Sequence, residues 1–389
     1  MDVRCGEYLT YLDNAATSFP KPTKVIDAIS DFMTYHGGNA GRGAHKLALE
    51  AAERVFECRE RLAAFFEADS PEQVCFTLNT TAALNTAIKG LLKRGDHVLI
   101  SDMEHNAVYR PIYKLWEEGR IEYDVFPTLV GVSRRRGELI CAEIAKRLRK
   151  NTRMLICMGA SNICSLSMPL CEIGEFCRRN NLLFVVDGAQ CAGHTPISVK
   201  KMKIDALCVP GHKGLLGAQG CGALILGKGI VPKCLMEGGN GVASLESEMA
   251  GDLPERLEAG TLPTPAIVGL CEGVKIIEEL GVEAIENHEK RLFAHALEIL
   301  GNMRGVRVYA PEHRGSVLLF SVDGLGSEEL AMHLSNEGIC TRGGFHCCAL
   351  GHKTLGTQST GAVRASFGVF NSSKDIDHLC KVVAAVRRS

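Results

Sequence analysis

The stretch that decides the fold is Leu182–Gly222, LLFVVDGAQCAGHTPISVKKMKIDALCVPGHKGLLGAQGCG. Its apolar run Leu182–Val186 lies between polar residues, a pattern typical of a buried strand in a parallel sheet, and it ends at Asp187. Asp205–Val209 is predicted as a second short strand, and Lys213 follows shortly after it. Because ligands bind at the carboxyl ends of strands in open α/β sheets, we expect this carboxylate and this amine at one ligand site.

An aspartate and a lysine placed in this way suit pyridoxal phosphate. The amine binds the cofactor aldehyde covalently, and the carboxylate keeps the pyridine nitrogen protonated so that the ring accepts electrons. The glycines around His212 and Lys213 let the backbone approach a flat cofactor. A surface lysine and a strand-end aspartate of an ordinary α/β domain would leave the same pattern, so the residues alone keep both interpretations open.

Two motifs in this stretch, VVDGAQ at 185–190 and GHKGLLGAQG at 211–220, resemble those of the class V aminotransferase family. The resemblance is strongest to its cysteine desulfurases, and it runs from YLDNAAT at 11–17 to VRASFGVFNS at 363–372. It implies a fold-type I pyridoxal-phosphate enzyme of the α/β class, with a large, mostly parallel, doubly wound sheet domain and a smaller C-terminal α/β domain. It also implies that Lys213 carries the cofactor, that Asp187 pairs with the pyridine nitrogen and that Gln190 hydrogen-bonds the ring hydroxyl.

The alternation of strand and helix patterns between residues 74 and 209 predicts the doubly wound sheet independently. We expect an N-terminal arm over 1–20, a large cofactor-binding domain over 21–262 and a small domain over 263–389 that carries a reactive-cysteine loop. Helices are expected over 23–35, 47–66, 83–92, 138–148, 171–180, 266–280 and 282–300. Further strands are expected over 74–78, 97–100, 122–127, 154–158, 306–309 and 316–321, with a hairpin over 214–229.

Thr80, Thr81 and Ala82 stand between a predicted strand and a predicted helix. Free N–H groups and hydroxyls at a helix start form an anion site. An ordinary helix cap by threonine would show the same sequence pattern. The resemblance makes these three residues the cradle of the cofactor phosphate. One departure is Pro210, where many relatives carry a serine; proline offers neither hydroxyl nor N–H, so the phosphate would depend more on residues 80–82.

Four other residues are assigned to the cofactor by the resemblance. His105 follows a predicted strand, and the matching histidine stacks on the pyridine ring and shuttles protons, a role that suits an imidazole. His212 adjoins the cofactor lysine, and Asn162 is placed near the ring hydroxyl and the substrate carboxylate. Thr261, in the EAGT segment 258–261, matches a threonine that contacts the cofactor phosphate of the partner subunit, which implies a homodimer with shared sites.

The substrate is assigned to Ala16, His45, Arg342 and Arg364, besides Asn162. Small residues around Ala16 suit an arm that passes a ligand, with a plain N-terminal strand as the alternative. His45 ends a glycine-rich loop that also contains Arg42 and lacks the Lys-Ser/Thr of a P-loop. The resemblance places this loop at the active-site mouth. Arg364 matches the arginine that binds the substrate α-carboxylate, which a planar bidentate donor suits better than lysine does.

Cys347 is the candidate nucleophile. It lies in ICTRGGFHCCAL at 339–350, and a thiol beside His346 and near Arg342 has electropositive surroundings that favour a thiolate. The segment resembles the desulfurase pattern R-x-G-x-x-C-A, with Cys348 intruding before the alanine. The resemblance implies that Cys347 attacks the substrate sulfur and leaves as a persulfide while alanine is released.

Other interpretations of this loop stay open. Its two thiols could be incidental, and a metal cluster of His346, Cys347, Cys348 and His352 is disfavoured because adjacent cysteines fit one tetrahedral ion poorly. By adjacency alone, Cys348 is a hypothetical second carrier of the persulfide. The stretch 351–361 has a composition that suggests mobility, which would expose the persulfide to an acceptor.

The composition bounds location and partners. The 389 residues carry a net charge of −1, which gives no electrostatic case for nucleic acid or an anionic membrane. No apolar run approaches the roughly eighteen residues of a membrane span, and Met1–Thr10 lacks the apolar core of a secretory signal. Because seventeen is an odd number, the cysteines cannot all form intramolecular disulfides. We expect free thiols in a reducing cytoplasm and no metal site.

These observations predict a cytoplasmic, homodimeric, pyridoxal-phosphate-dependent cysteine desulfurase that converts L-cysteine to L-alanine. One alternative is a selenocysteine lyase on the same scaffold, which would take L-selenocysteine and depend less on Cys347. Another is a different lyase or an aminotransferase in which Cys347 is incidental. A non-enzymatic sulfur-relay protein is a third. A protein acceptor for sulfur fits the desulfurase, and a protein acceptor for selenium fits the selenocysteine lyase.

Overall fold

The computed structural model describes residues 9–41, 43–242 and 244–386. Arg42 and the first eight residues of the expected N-terminal arm therefore lie outside the described residues. The strands are β1 Thr10–Tyr11, β2 Val74–Thr77, β3 His97–Ser101, β4 Glu122–Phe126, β5 Thr152–Met158, β6 Leu183–Asp187, β7 Ala206–Pro210, β8 Gly222–Leu226, β9 Val306–Tyr309, β10 Val317–Val322, β11 Ile339–Cys340 and β12 Val363–Ser366. The helices are α1 Thr23–Tyr35, α2 Lys46–Phe65, α3 Thr80–Leu91, α4 Asn106–Glu117, α5 Arg136–Ala145, α6 Leu170–Arg179, α7 Thr264–Leu280, α8 Val282–Leu300, α9 Ser327–Asn336, α10 Ala349–Thr354 and α11 Ser373–Val386.

A seven-stranded sheet forms the centre of the molecule, in the order β2-β8-β7-β6-β5-β3-β4. Only β8 runs against its neighbours, so the sheet is mostly parallel, as predicted. Every residue of β3, β6, β7 and β8 is buried, because apolar clusters cover both faces of the sheet. The hairpin expected over 214–229 is displaced, because β8 pairs antiparallel with β7 and Lys213 lies in the connection between these two strands.

The C-terminal part forms a second, antiparallel sheet in the order β12-β10-β9. Its core includes Phe293 of α8, Phe320 of β10 and Ile376 of α11. The N-terminal arm joins this core, because β1 pairs in parallel with β11 and Leu12 is buried in the same cluster. Helix α7, in contrast, packs in the core of the large sheet with α1 and α2.

The structure differs from the predicted elements at three places that concern the site. Helix α3 begins at Thr80 rather than at 83, because the Asn79 side chain caps it. Helix α4 was not predicted. Residues 349–354 form α10 and Thr357 beyond it is fully buried, whereas a loop was predicted over 351–361. Within the described ranges, no helix is long and apolar enough to cross a membrane.

Candidate active site

A cavity lies at the carboxyl edge of the large sheet, where β6 ends in Asp187 and the turn after β7 carries Lys213. The structure brings eight of the predicted cofactor residues into its wall. They are Thr80, Thr81, His105, Asn162, Asp187, Gln190, His212 and Lys213. Pro210 also lines it. Residues that follow or end five strands, β2, β3, β5, β6 and β7, therefore meet at one edge, and the strand-end positions of Asp187 and Lys213 predicted this for those two residues.

Lys213 and Asp187 influence each other's ionisation. Loss of hydration lowers the pKa of Lys213 to about 8, while the negative charge of Asp187 opposes that shift. Burial raises the pKa of the Asp187 carboxyl, which the Ala189 N–H, donating at 2.9 Å, and the charge of Lys213 partly offset. The amine of Lys213 is therefore partly neutral near physiological pH, the state that attacks an aldehyde.

His105 is held in one protonation state. Its Nδ1 accepts a hydrogen bond from the Ala107 N–H at 3.0 Å, so Nε2 carries the ring proton. Burial lowers the pKa of His105 to about 4, and the positive charge of Lys213 adds to that effect. A neutral imidazole fixed at the start of α4 can stack on an aromatic ring and exchange a proton at Nε2.

The start of α3 distinguishes an anion site from an ordinary helix cap. The Asn79 side chain caps the helix by accepting the Ala82 N–H at 2.9 Å. The Thr80 hydroxyl is left buried in the cavity wall with no hydrogen-bond partner, and so is Nδ1 of His212. An uncommitted donor at a helix N-terminus suits a phosphate, so the residues present fit a phosphorylated pyridine cofactor. The Ala82 N–H, which was also assigned to the phosphate, already donates to the Asn79 side chain in this structure.

Arg364 and Arg342 are joined by a residue that the sequence analysis missed. Asp13 accepts from Arg364 Nη2 at 2.7 Å through one oxygen, and from Arg342 Nη2 at 2.8 Å and Nε at 3.1 Å through the other. Arg364 Nη1 also donates to the Asn162 carbonyl at 3.0 Å, whereas its Nε has no partner. Two arginines beside one arm require a counter-charge, which is the signal that could have identified Asp13 within YLDNAAT.

The end of the N-terminal arm and Lys21, the residue after it, contact His212, the residue before Lys213. The carbonyl of His212 accepts from Thr17 Oγ1 at 3.0 Å, Ser18 N at 3.1 Å and Lys21 Nζ at 2.8 Å. Gln190 Nε2 donates to the arm's Ala15 carbonyl at 2.9 Å, and Ala16 lies in the turn that follows. Beyond its short strand β1, the arm therefore contacts two residues of the cavity wall, Gln190 and His212.

The reactive-cysteine loop presents Cys347 to solvent and buries Cys348. The Cys348 thiol donates to the Met103 carbonyl at 3.4 Å, and burial raises its pKa well above the usual range. This geometry disfavours Cys348 as a second persulfide carrier. The expectation that His346 provides positive charge is wrong, because burial lowers the pKa of His346 to about 3 and leaves the ring neutral. Arg342 is the charged neighbour that remains.

The geometry of the loop also argues against a metal cluster. His346 Nδ1 and His352 Nε2 lie 3.2 Å apart and bond each other, which leaves neither atom free to bind a metal. In the described part of the chain, no three histidines, cysteines or acidic residues are grouped so that they could hold a metal ion.

His45 and Thr261 do not reach the Lys213 cavity within this chain. They line a second cleft, beside the buried ion pair of Arg59 and Glu258. Arg59 donates to both Glu258 oxygens, at 2.8 and 2.9 Å, which fixes the segment that ends in Thr261. His45 caps α2 by accepting the Ala48 N–H at 3.3 Å.

The whole fold has known counterparts. The model of the family described as Aminotransferase class-V matches residues 10–379. The chain belongs to that family. Within the class V aminotransferases, a probable cysteine desulfurase of Halalkalibacterium halodurans is 32% identical over 386 residues, covering 97% of this chain and 92% of the relative. A probable cysteine desulfurase of Halobacterium salinarum is 32% identical over 397 residues, covering 100% and 94%.

A solved class V structure confirms the expected fold. The apo structure of the cysteine desulfurase from Thermococcus onnurineus NA1 matches with a TM-score of 0.88 at 29% identity, covering 98% of this chain and 95% of that chain. This chain therefore has the fold-type I architecture that the motifs predicted.

Proposed function

We propose that this protein is a pyridoxal-phosphate-dependent cysteine desulfurase that converts L-cysteine to L-alanine and receives the sulfur on Cys347. The observation that carries the proposal is the connection between the cavity and the cysteine loop. The loop is bonded to the cavity wall by Asn162 Nδ2, which donates to the His346 carbonyl at 2.8 Å. It is also bonded to the residue after His105, because the Asn106 N–H donates to the Cys347 carbonyl at 2.8 Å.

The cavity residues supply what the cofactor needs. Lys213 would hold it through the amine, Asp187 would face the pyridine nitrogen and Thr80 would donate to the phosphate. When bound, pyridoxal phosphate withdraws electrons from the substrate carbons. Gln190 and Thr81 complete the wall. Neutral His105 offers a ring for stacking and a proton at Nε2.

The remaining residues orient the substrate and take its sulfur. Arg364, with an unpartnered Nε, would bind the α-carboxylate, and Lys213 would move the proton at Cα. The Cys347 thiolate attacks the substrate sulfur, so a sulfur–sulfur bond forms while the Cβ–sulfur bond breaks and its electron pair remains on carbon. Protonation of that carbon gives alanine, and Cys347 retains the sulfur as a persulfide.

The selenocysteine alternative is disfavoured because the relatives are named for cysteine. Alanine and sulfide or selenide release, measured with reductant from L-cysteine and L-selenocysteine, tests this choice. We expect Cys347→Ala to lose the cysteine reaction. Unchanged release from both substrates would make Cys347 incidental and favour another lyase, and pyridoxamine phosphate with a keto acid would indicate transamination.

We also propose a cytoplasmic homodimer in which His45 and Thr261 complete the partner's site. Support comes from their cleft, whose wall includes exposed Phe56, and from exposed Met236 and Leu245 on the adjoining segment. Sedimentation of the purified protein tests the dimer, and a monomer with full activity would contradict it. A protein acceptor would remove the persulfide sulfur.

We propose that the small domain begins at the junction of α7 and α8, later than residue 263. Support for this boundary is that Ile267, Leu270 and Val274 of α7 are buried in the core of the large sheet. Limited proteolysis that releases a stable fragment starting before α7 would contradict it.

A further inference from the structure

His346 and His352 form a buried pair beside the candidate nucleophile, with their rings edge to edge and joined by a hydrogen bond. Their ring centroids are 5.4 Å apart with an angle of 16° between the planes. His346 Nε2 lies 2.9 Å from the Arg342 carbonyl, and His352 Nδ1 lies 2.7 Å from the Thr357 hydroxyl. With the 3.2 Å contact between the rings, every ring nitrogen has one partner.

The partners determine where each proton lies. A carbonyl only accepts, so His346 Nε2 carries the proton and His346 Nδ1 is an acceptor. His352 Nε2 must then donate to it, which leaves His352 Nδ1 to accept from the Thr357 hydroxyl. Hydrogen bonds therefore run in one direction, from Thr357 through both neutral rings to the Arg342 carbonyl. Neither nitrogen of His346 is free to take a proton from Cys347.

The loop that this chain of hydrogen bonds holds has a strained backbone. His346 and Cys347 have φ values of 51° and 53°, in the left-handed region that non-glycine residues adopt only when their surroundings enforce it. The Phe345 ring meets His352 edge-on at 5.5 Å, which adds a packing contact to the same point. Cys347, the second of these two left-handed residues, is exposed, whereas Cys348, which follows it directly, is buried.

We propose that His352 and Thr357 are positioning residues for Cys347. Through His346 they hold the left-handed pair, and the pair keeps the Cys347 thiol outward and the Cys348 thiol inward. The inference rests on the proposed role of Cys347 in receiving sulfur. His346 is then a structural link and does not act as the base for the thiol.

Thr357→Val and Thr357→Ser test the inference as a matched pair, since valine keeps the shape of threonine and serine keeps the hydroxyl. The holoenzyme is treated with iodoacetamide, and the labelling rates of Cys347 and Cys348 are resolved by mass spectrometry. In Thr357→Val we expect Cys348 labelling to rise about tenfold and kcat for alanine formation to fall about tenfold, the effect of one lost hydrogen bond. The KM of Thr357→Val for L-cysteine should stay near that of the wild-type enzyme. Thr357→Ser should match the wild-type enzyme in labelling, kcat and KM.

Two further variants keep the test decisive. His352→Gln, which retains a donor near the Nε2 position, should restore most of the labelling pattern that His352→Leu loses. Labelling and turnover of Thr357→Val equal to Thr357→Ser would overturn the positioning role.

Failure of the proposed function would look different. Labelling requires no turnover, so it reports on the loop even if the reaction is another one. Retained turnover in Cys347→Ala would refute the sulfur-transfer role while leaving the labelling result of the Thr357 pair intact. A fall in thermal stability of Thr357→Val without selective Cys348 labelling would reduce Thr357 to a folding role and refute the inference.

Discussion

Thr80→Val should leave the stability of the cofactor-free protein unchanged or higher, and it should weaken the binding of pyridoxal phosphate. The Thr80 hydroxyl is buried and unpartnered, and an unpaired buried donor costs about 1–3 kcal/mol. Its removal should therefore leave the free energy of unfolding of the cofactor-free protein unchanged or raise it by about 1 kcal/mol. A hydrogen bond from the same hydroxyl to a phosphate is worth about 1.5–3 kcal/mol, so the Kd for pyridoxal phosphate should rise by roughly tenfold to a hundredfold.

Thr86→Val is the matched control on the same helix. The Thr86 hydroxyl is buried but already donates to the Ala82 carbonyl at 3.0 Å, so its loss should lower stability slightly and leave the Kd unchanged. Thermal unfolding of both cofactor-free variants and an absorbance titration with pyridoxal phosphate measure the two quantities. If Thr80→Val destabilised the empty protein and bound the cofactor normally, Thr80 would be an ordinary helix residue and the phosphate site would lie elsewhere.

Three other outcomes follow from the site. Asp187→Asn removes a charge that raises the pKa of Lys213, so the midpoint of Lys213 reductive methylation in cofactor-free protein should fall below about pH 8; a higher midpoint would contradict the pairing. Cys348→Ala should keep alanine formation within about twofold, because a buried thiol of raised pKa is not a nucleophile, and loss of the Cys347 persulfide by mass spectrometry would refute this. Arg364→Lys should raise the KM for L-cysteine about tenfold or more, because lysine lacks the fork that bonds Asp13 and Asn162; an unchanged KM would exclude the carboxylate role.

The elements that depend on the pattern of neighbouring residues could be predicted from the sequence. The apolar run before Asp187 was predicted as 182–186 and is observed as Leu183–Asp187, because burial on both faces leaves an uninterrupted apolar pattern. Helix α8 was predicted with its observed ends, since a glycine precedes it and its apolar stripe is regular. The common edge for Asp187 and Lys213 follows from parallel strands alone.

Contacts between distant segments could not be predicted in this way. Asp13 meets Arg342 and Arg364 at separations of 329 and 351 residues, which no local pattern reports. The stretch after Cys348 has the glycine and threonine content of a mobile loop. Thr357 is nevertheless buried, and its hydroxyl donates a hydrogen bond to His352. The neutrality of His346 likewise depends on burial and on a partner six residues away.

The position of the N-terminal arm has a consequence for synthesis on the ribosome. The arm is translated before every segment that it binds, including His212, Cys340 and Ser366. Until those segments emerge, Leu12 has no core to enter and Asp13 has no arginine to meet. Contacts across so many residues are entropically costly to close, so they form late. A nascent chain stalled before Ser366 would thus contain Lys213 and most of the large sheet, but its substrate side would still be open.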